Sequence, residues 1–344
     1  MIKTALVGFG FSANTFHLPF LNAMSQFDIT AVVSSKPENV TQHLPQATCY
    51  ADINTLLEHE SPDLVVITTP NHLHYEHARQ SLEAGCHVLV EKPFVTRSED
   101  GLALATLADE KGLILCPYHN RRWDGDFLTL QSLLEKDELG AIKVMHSSFN
   151  RYRPEVRQRW RELPGEGAGI LFDLGSHLID QTLTLLGDPD AISAQCRALR
   201  PGSQTTDYFQ LTLHYPDSEV ILNSSPYRSG TTERFTVHGE KATFSCNGLD
   251  IQEDQLRAAM SILDKNFGTQ SHEATLEKGD SVTKMTCPLH TGQYQQLFTL
   301  LAESITHQRP SPVSAESATK VIYAIELAQR ASETGSRQTW QYSL

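Results

Sequence analysis

The sequence predicts an α/β domain built on a parallel sheet, followed by an α+β domain with an antiparallel or mixed sheet. Three observations carry this reading. Short apolar runs alternate with helical stretches through the first 118 residues, the pattern of a parallel sheet covered by helices. Beyond them, longer segments alternate polar and apolar residues with a period of two, as strands with one packed and one solvated face do. The chain has 344 residues, 40% of them hydrophobic and 20% charged, which suits two globular domains of roughly 100–200 residues each.

Thr4–Gly8 is a short apolar strand, Ser12–Met24 a helix and Ile29–Val33 a second buried strand. A helical stretch ends at Leu56–His59 before Pro62-Asp63, and the strand Leu64–Thr69 follows. The helix His74–Ala84 is stopped by Gly85, His87–Val90 is the next strand, and the helix Ser98–Lys111 is stopped by Gly112 before the strand Leu113–Pro117. Glycine closes both helices because it tolerates the left-handed conformation at a helix end. A helix over Phe127–Lys136 opens the second half, whose alternating segments are Lys143–Arg151, Ile192–Leu199, Tyr208–Tyr215, Glu219–Asn223 and Phe235–Phe244. One strong helix, Asp173–Leu186, interrupts them. Two more, Gln293–Thr306 and Ala315–Glu333, close the chain around the Pro310/Pro312 turn. The expected domains are 1–118 and 119–344.

Composition narrows the function. The formal net charge of −13 disfavours general binding to phosphate backbones. No stretch approaches the ~20 apolar residues of a membrane span, and the N-terminus has no signal-peptide pattern. Cys49, Cys86, Cys116, Cys196, Cys246 and Cys287 are widely spaced with no Cys-x-x-Cys, so reduced thiols in a cytoplasmic protein are expected. His72, His74 and His77 could set two metal ligands on one helix face, but a polar loop-to-helix transition explains them more simply; no metal is expected.

Gly8-Phe9-Gly10-Phe11-Ser12-Ala13 matches G-x-G-x-x-A directly after the first strand and at the start of a helix, the context in which the pattern binds a dinucleotide. Gly8 permits the tight turn, Gly10 lets the backbone approach a pyrophosphate, and Ala13 keeps the helix close to the strand. At the end of the second strand, where an acid would bind the ribose 2′-OH of NAD, this chain has Ser34-Ser35-Lys36. Two hydroxyls and a cation suit a 2′-phosphate, so NADP is favoured over NAD, with an ordinary solvated turn as the alternative. Thr69-Pro70-Asn71 closes the strand Leu64–Thr69 at its carboxyl end, where such sheets bind ligands. Asn71 is a candidate cap for the helix near His74. Glu91-Lys92-Pro93 follows the strand His87–Val90, which brings Lys92 to the same edge, with a backbone that proline biases to be extended.

Asp173, His177 and Asp180 fall at i, i+4 and i+7 and share one face of the helix Asp173–Leu186. A carboxylate one turn from a histidine can orient it and stabilise its charged form; a cap and a satisfied core histidine is the plain alternative. Hydride transfer at an alcohol carbon needs a nicotinamide, a proton acceptor and a charge on the oxygen. The Gly loop, His177 and Lys92 are one candidate for each.

With Gly8–Ala13, Thr69–Asn71 with His74, Glu91-Lys92-Pro93, and Asp173 to His177 with Asp180, the sequence resembles the glucose–fructose oxidoreductase / inositol dehydrogenase / MocA-like family over essentially its full length. His119-Asn120-Arg121-Arg122-Trp123-Asp124, Arg153-Pro154-Glu155-Val156-Arg157 and Arg159-Trp160-Arg161 resemble the branch of NADP-dependent scyllo-inositol dehydrogenases. The resemblance implies a Rossmann domain, a C-terminal domain with an open, predominantly antiparallel sheet through which a homodimer or higher homo-oligomer forms, and Lys92, Asp173 and His177 as the catalytic set. Cofactor contacts are expected from Gly8 through Ala13, Ser34, Ser35, Lys36, Thr69, Pro70, Asn71, His74, Glu91 and Lys92. Asn120, Arg122, Trp123, Arg153, Arg157 and Asp180 are candidates for a polyol-binding wall, with plain salt bridges an equal reading of the arginines. His290 and Tyr294, i and i+4 at a helix start, are further candidates. The expected activity is NADP(H)-dependent oxidation and reduction of a cyclic polyol or sugar; another sugar substrate, or a non-catalytic nucleotide sensor on the same fold, are the alternatives.

Overall fold

The computed structural model describes residues 1–157, 162–279 and 284–342. The Arg159-Trp160-Arg161 stretch lies outside the described residues. Compactness divides the chain into two units: Met1–Asn120 with Gln252–Phe267 and Gln293–Thr319, and Arg121–Ile251 with Gly268–Gly292 and Lys320–Leu344. The expected division at 118/119 follows the run of the chain, whereas the first unit also takes in two later segments.

The first unit is a parallel six-stranded sheet of β1 (Ile2–Val7), β2 (Phe27–Val33), β3 (Thr48–Tyr50), β4 (Leu64–Ile67), β5 (His87–Val90) and β6 (Leu115–Pro117), in the order β3-β2-β1-β4-β5-β6. Strand order reverses between β1 and β4, the point at which ligands bind at the carboxyl edge of such sheets. β4 is buried along its whole length, as strands covered by helices on both faces must be. The helix expected over Ser12–Met24 is two pieces, a π-helical turn Ala13–His17 and an α-helix Leu18–Ala23 with Pro19 in its first turn. The helix Pro37–His43 and the strand β3 carry too few periodic residues to stand out in the sequence.

The later segments complete this unit's core. Phe298, on the helix Gln295–His307, stacks on Phe20 with ring centroids 4.9 Å apart and planes 12° from parallel. It also meets Phe27, Tyr118 and His17.

The second unit is a nine-stranded mixed sheet of β7 (Ile142–Ser148), β8 (Ala191–Arg197), β9 (Tyr208–His214), β10 (Glu219–Ser224), β11 (Glu233–Gly239), β12 (Ala242–Asn247), β13 (Ala274–Lys278), β14 (Lys284–Cys287) and β15 (Gln338–Thr339). The order is β14-β13-β12-β11-β7-β10-β9-β8-β15, antiparallel except for β7 beside β10. One face is apolar, with Phe209, Leu211, Leu213, Val220, Leu222 and Val237 buried. The other carries Gln195, Gln210, Thr212, His146, Thr236 and His238, partly or fully exposed. The segment Phe235–Phe244, expected as one strand, is a hairpin: Glu240 and Lys241 make a two-residue turn between β11 and β12. Phe235 and Val237 before the turn and Ala242 and Phe244 after it keep a period of two on each side, but the phase shifts by one residue across Glu240-Lys241.

Truncating Phe298 to alanine removes the ring against which Phe20, Phe27 and Tyr118 pack. A loss of about 3–5 kcal/mol of stability is expected for such a cavity, read from the shift in urea midpoint; a loss below about 1 kcal/mol would show that the 293–319 segment is peripheral to this core.

Candidate active site

In the first unit the ends of β1, β4 and β5 bring three of the expected motifs to one edge. Gly8 has φ +95°, and a Cβ there would come within 3.2 Å of the Thr68 backbone, so the turn after β1 requires glycine. A Cβ at Gly10 would meet nothing within 4 Å, which leaves the backbone open to a close ligand. Thr68 Oγ1 donates to the Gly8 carbonyl at 2.9 Å and ties the loop after β4 to the Gly loop. This cradle, followed by a helix start with free N–H groups, fits the pyrophosphate of a dinucleotide.

Glu91 joins the Gly loop to β5. Its carboxylate, 9% exposed, accepts from Ser12 Oγ and from the Lys92 N–H at 3.1 Å, and pairs with His17 Nε2 at 2.9 Å. Burial alone would raise the Glu91 pKa, but the bonds and charge of His17, the Ser12 hydroxyl and the Lys92 charge outweigh it and hold the group at about 2. His17 is fully buried and stacks on Tyr118 at 4.3 Å between ring centroids. No sequence reading singled out His17, because its partner is 74 residues away.

Lys92 follows, half-buried, and the Lys92–Pro93 peptide is cis. His74 is buried between two loops, with Nδ1 2.8 Å from the Pro93 carbonyl and Nε2 2.9 Å from that of Thr69. Burial lowers its pKa, against the pull of the two carbonyls. His77 Nδ1 lies 3.1 Å from Thr69 Oγ1. His74 and His77 thus hold the Thr69-Pro70-Asn71 loop, and no group of metal-binding side chains occurs among the described residues. Asn71 is not a side-chain cap: it opens a 3-10 turn, Asn71–Leu73, that runs into the helix His74–Glu83, whose start has no side-chain cap. Ser34, Ser35 and Lys36 form the turn from β2 into the helix Pro37–His43. Ser34 Oγ accepts the Lys36 N–H at 3.0 Å, and Ser35 and Lys36 are exposed.

In the second unit Asp173 lies half-buried in a π-helical turn, Leu171–Gly175, ahead of the α-helix Ser176–Leu186. The i, i+4 relation to His177 therefore passes through a wider turn than the sequence reading assumed. His177 and Asp180 are 4% and 2% exposed. Arg122 forks onto Asp180, with Nη2 2.6 Å and Nε 3.0 Å from its two oxygens, a bidentate geometry that orders both side chains. Asp180 and Arg122 are thus each other's partners. Asn120 is buried at the start of the turn Asn120–Trp123 and Trp123 is half-buried. Arg153 and Arg157 are exposed on the segment after β7. The helix near His290 begins only at Gln295, so His290 and Tyr294 do not share a helix face: His290 is exposed and Tyr294 fully buried. The helix starts late because Tyr294 and the residues before it are held by other bonds, the Tyr294 N–H by Gln252 Oε1 at 2.8 Å and the His290 N–H by Thr129 Oγ1 at 2.8 Å.

Residues 2–119 match the oxidoreductase family model of the NAD-binding Rossmann fold, and residues 131–340 its C-terminal alpha/beta domain. The chain belongs to the Gfo/Idh/MocA oxidoreductase family. It is 40% identical to the scyllo-inositol 2-dehydrogenase (NADP(+)) IolW of Bacillus subtilis, over 96% of this chain and 94% of that one. It is 36% identical to the uncharacterized oxidoreductase YdgJ of Escherichia coli, over 95% of each. The solved structure of yvaA from Bacillus subtilis superposes with a TM-score of 0.94 at 37% identity over 99% of both chains. The protein is an NAD(P)-binding oxidoreductase of this family.

The depressed Glu91 pKa has a stability consequence with a fixed sign. Its contribution is fully present above the ordinary glutamate value of 4.5 and is lost as pH falls toward about 2. Glu91→Gln should flatten the acid limb of a stability profile between pH 5 and 3 by on the order of 2 kcal/mol. Parallel urea titrations of the two proteins check this, and superimposable slopes would remove Glu91 from the acid response.

Proposed function

We propose that the protein catalyses reversible hydride transfer between NADP(H) and a secondary alcohol of a cyclic polyol, with scyllo-inositol and its inosose as the substrate pair. The observation that carries this reading is the 40% identity, across nearly the whole of both chains, to an enzyme named scyllo-inositol 2-dehydrogenase (NADP(+)). The Ser34-Ser35-Lys36 turn supports NADP: it offers hydroxyls and an exposed cation where a carboxylate would repel a 2′-phosphate.

The cofactor, when bound, supplies the hydride acceptor or donor. The Gly8–Ala13 loop and the Thr69–Asn71 loop hold it, and the Glu91 network fixes both the Gly loop and the backbone of Lys92. The Lys92 ammonium hydrogen-bonds the reacting oxygen and offsets the charge that develops on it. The His177 imidazole takes the hydroxyl proton as the alcohol becomes a ketone, and returns it in reduction. Asp173 orients and charge-balances this pair. Each oxidation would therefore leave one proton on His177, while the bound nicotinamide would supply the two-electron acceptor. All six cysteines are free thiols, which suits a reducing cytoplasm. The polar face of the nine-stranded sheet is assigned to a second copy of the chain, and light scattering at twice the 38.3 kDa chain mass is the outcome that supports it.

Two measurements test the reading. Loss of nicotinamide absorbance is followed with NADPH or NADH and a panel of inososes and keto-sugars. Oxidation of NADPH at least tenfold faster than of NADH, with an inosose as best substrate, is expected. Binding without turnover across the panel would favour a sensor. Lys92→Ala and His177→Asn should each keep NADPH affinity within about threefold and lose at least a hundredfold in kcat; wild-type turnover in either removes that residue from the mechanism.

A further inference from the structure

Arg234 is the largest fully buried side chain among the described residues, 1% exposed, and carries a charge. Strand alternation would put it on the open face of β11, since Phe235 and Val237 point into the core. It reaches the interior because it is the extra residue of a β-bulge: Glu233 pairs with Asn247 and Phe235 with Cys246, which leaves Arg234 without a cross-strand partner. Bulges of this kind redirect one side chain.

Inside, the two terminal nitrogens of the guanidinium are hydrogen-bonded and its Nε faces a carboxylate at ion-pair distance. Nη1 donates to Ser147 Oγ at 2.6 Å, Nη2 donates to Gln181 Oε1 at 2.5 Å, and Nε lies 3.2 Å from Asp126 Oδ2. Its plane covers the rings of Phe149 at 4.2 Å and Phe235 at 3.9 Å. Two of these partners lead to His177. Gln181 is one turn beyond His177 on the helix Ser176–Leu186, so the two side chains lie on neighbouring positions of one face. Its amide is locked at both ends, since Nε2 donates to the Arg121 carbonyl at 2.7 Å. Phe149 meets the His177 ring edge to face, with centroids 6.4 Å apart.

A buried ion pair is a poor source of stability, because apolar side chains of similar size often fill the space as well. What apolar filling cannot supply is a fixed direction for the Gln181 amide and a fixed seat for Phe149. We propose that Arg234 is a positioning residue: through Gln181 and Phe149 it sets the rotation of the helix Ser176–Leu186 and so the aim of the His177 imidazole. The inference rests on the proton-carrying role given to His177 above. A shift of about 1 Å in a reacting group can cost on the order of a hundredfold in rate, so the effect falls on kcat.

The test compares Gln181→Met, which leaves the Arg234–Asp126 pair in place, with Arg234→Lys, with Arg234→Met combined with Asp126→Asn, and with Gln181→Met added to that last variant. Each folded variant should lose about 10–100-fold in kcat while KM for the inosose and the Kd for NADPH stay within about threefold. Arg234→Lys should recover part of the loss, since it keeps the charge but not the fork. Adding Gln181→Met to the Arg234 variant should cost little more, because both act through one link. Independently of turnover, the His177 ring resonances in histidine-labelled protein, assigned with His177→Asn, should shift or double in Gln181→Met. If the core variant fails to fold, Gln181→Met alone decides. Wild-type kcat together with unchanged His177 resonances in folded Gln181→Met overturns the proposal. Full turnover in His177→Asn would instead overturn the mechanism, and the ring resonances would still decide whether Arg234 orients His177.

Discussion

The carboxylate of Glu91 is the constraint on which the cofactor side of the protein depends. A carboxylate this deeply buried is stable only if every lone pair finds a donor. Glu91 finds them in Ser12, His17 and the Lys92 N–H, that is, in the helix after the Gly loop and in the residue proposed to hold the reacting oxygen. One buried charge thereby sets the distance between the two motifs. His74, at the start of the helix His74–Glu83, repeats the device between the loops after β4 and β5, spanning Thr69 and Pro93 with its two nitrogens. The loops at the edge of the first sheet are therefore held by side chains from the sheet's own helices, not by their own length.

The second unit solves the same problem with paired charges. Arg122 with Asp180, Arg121 with Asp124 and Arg234 with Asp126 place three cations against three carboxylates around the helix that carries His177. The local charge balances. What remains is orientation, which the two-point grip of Arg122 on Asp180 supplies most directly.

The parts of this architecture that were legible in the sequence are those written in local patterns. Gly8 and Gly10 announce the turn, β5 and the helix Ser98–Lys111 have the bounds their apolar spacing implies, and Asp173 and His177 stand out by their interval. The parts that were not legible depend on partners far along the chain. His17 looks like any helix residue until Glu91 is beside it. Arg234 lies just outside the segment Phe235–Phe244 that the alternation marks as a strand, and the bulge that brings it into β11 leaves no composition mark. The β11–β12 turn was missed since Glu240-Lys241 lacks the Asn-Gly or Asp-Gly signal of a tight hairpin, and β13, β14 and β15 are too short or too polar to rise above their surroundings. Arg122 reads equally as a ligand wall and as a salt bridge in the sequence, and the structure pairs it with Asp180, a second candidate for the same wall.

The stacking of Phe298 on Phe20 has a consequence for how the chain is made. The sheet β1–β6 is complete in sequence by Pro117, ahead of the strands of the second unit. Phe20, Phe27 and Tyr118 lack the Phe298 ring until the helix Gln295–His307 has been made, by which point most of the second unit has been translated. Contacts at such separation form late, and nascent chains with bare apolar surface are prone to association. The fold thus has a built-in order: the nucleotide-binding half is drawn early and closed late, and a chain that stops short of Phe298 leaves the ribosome with its first core open.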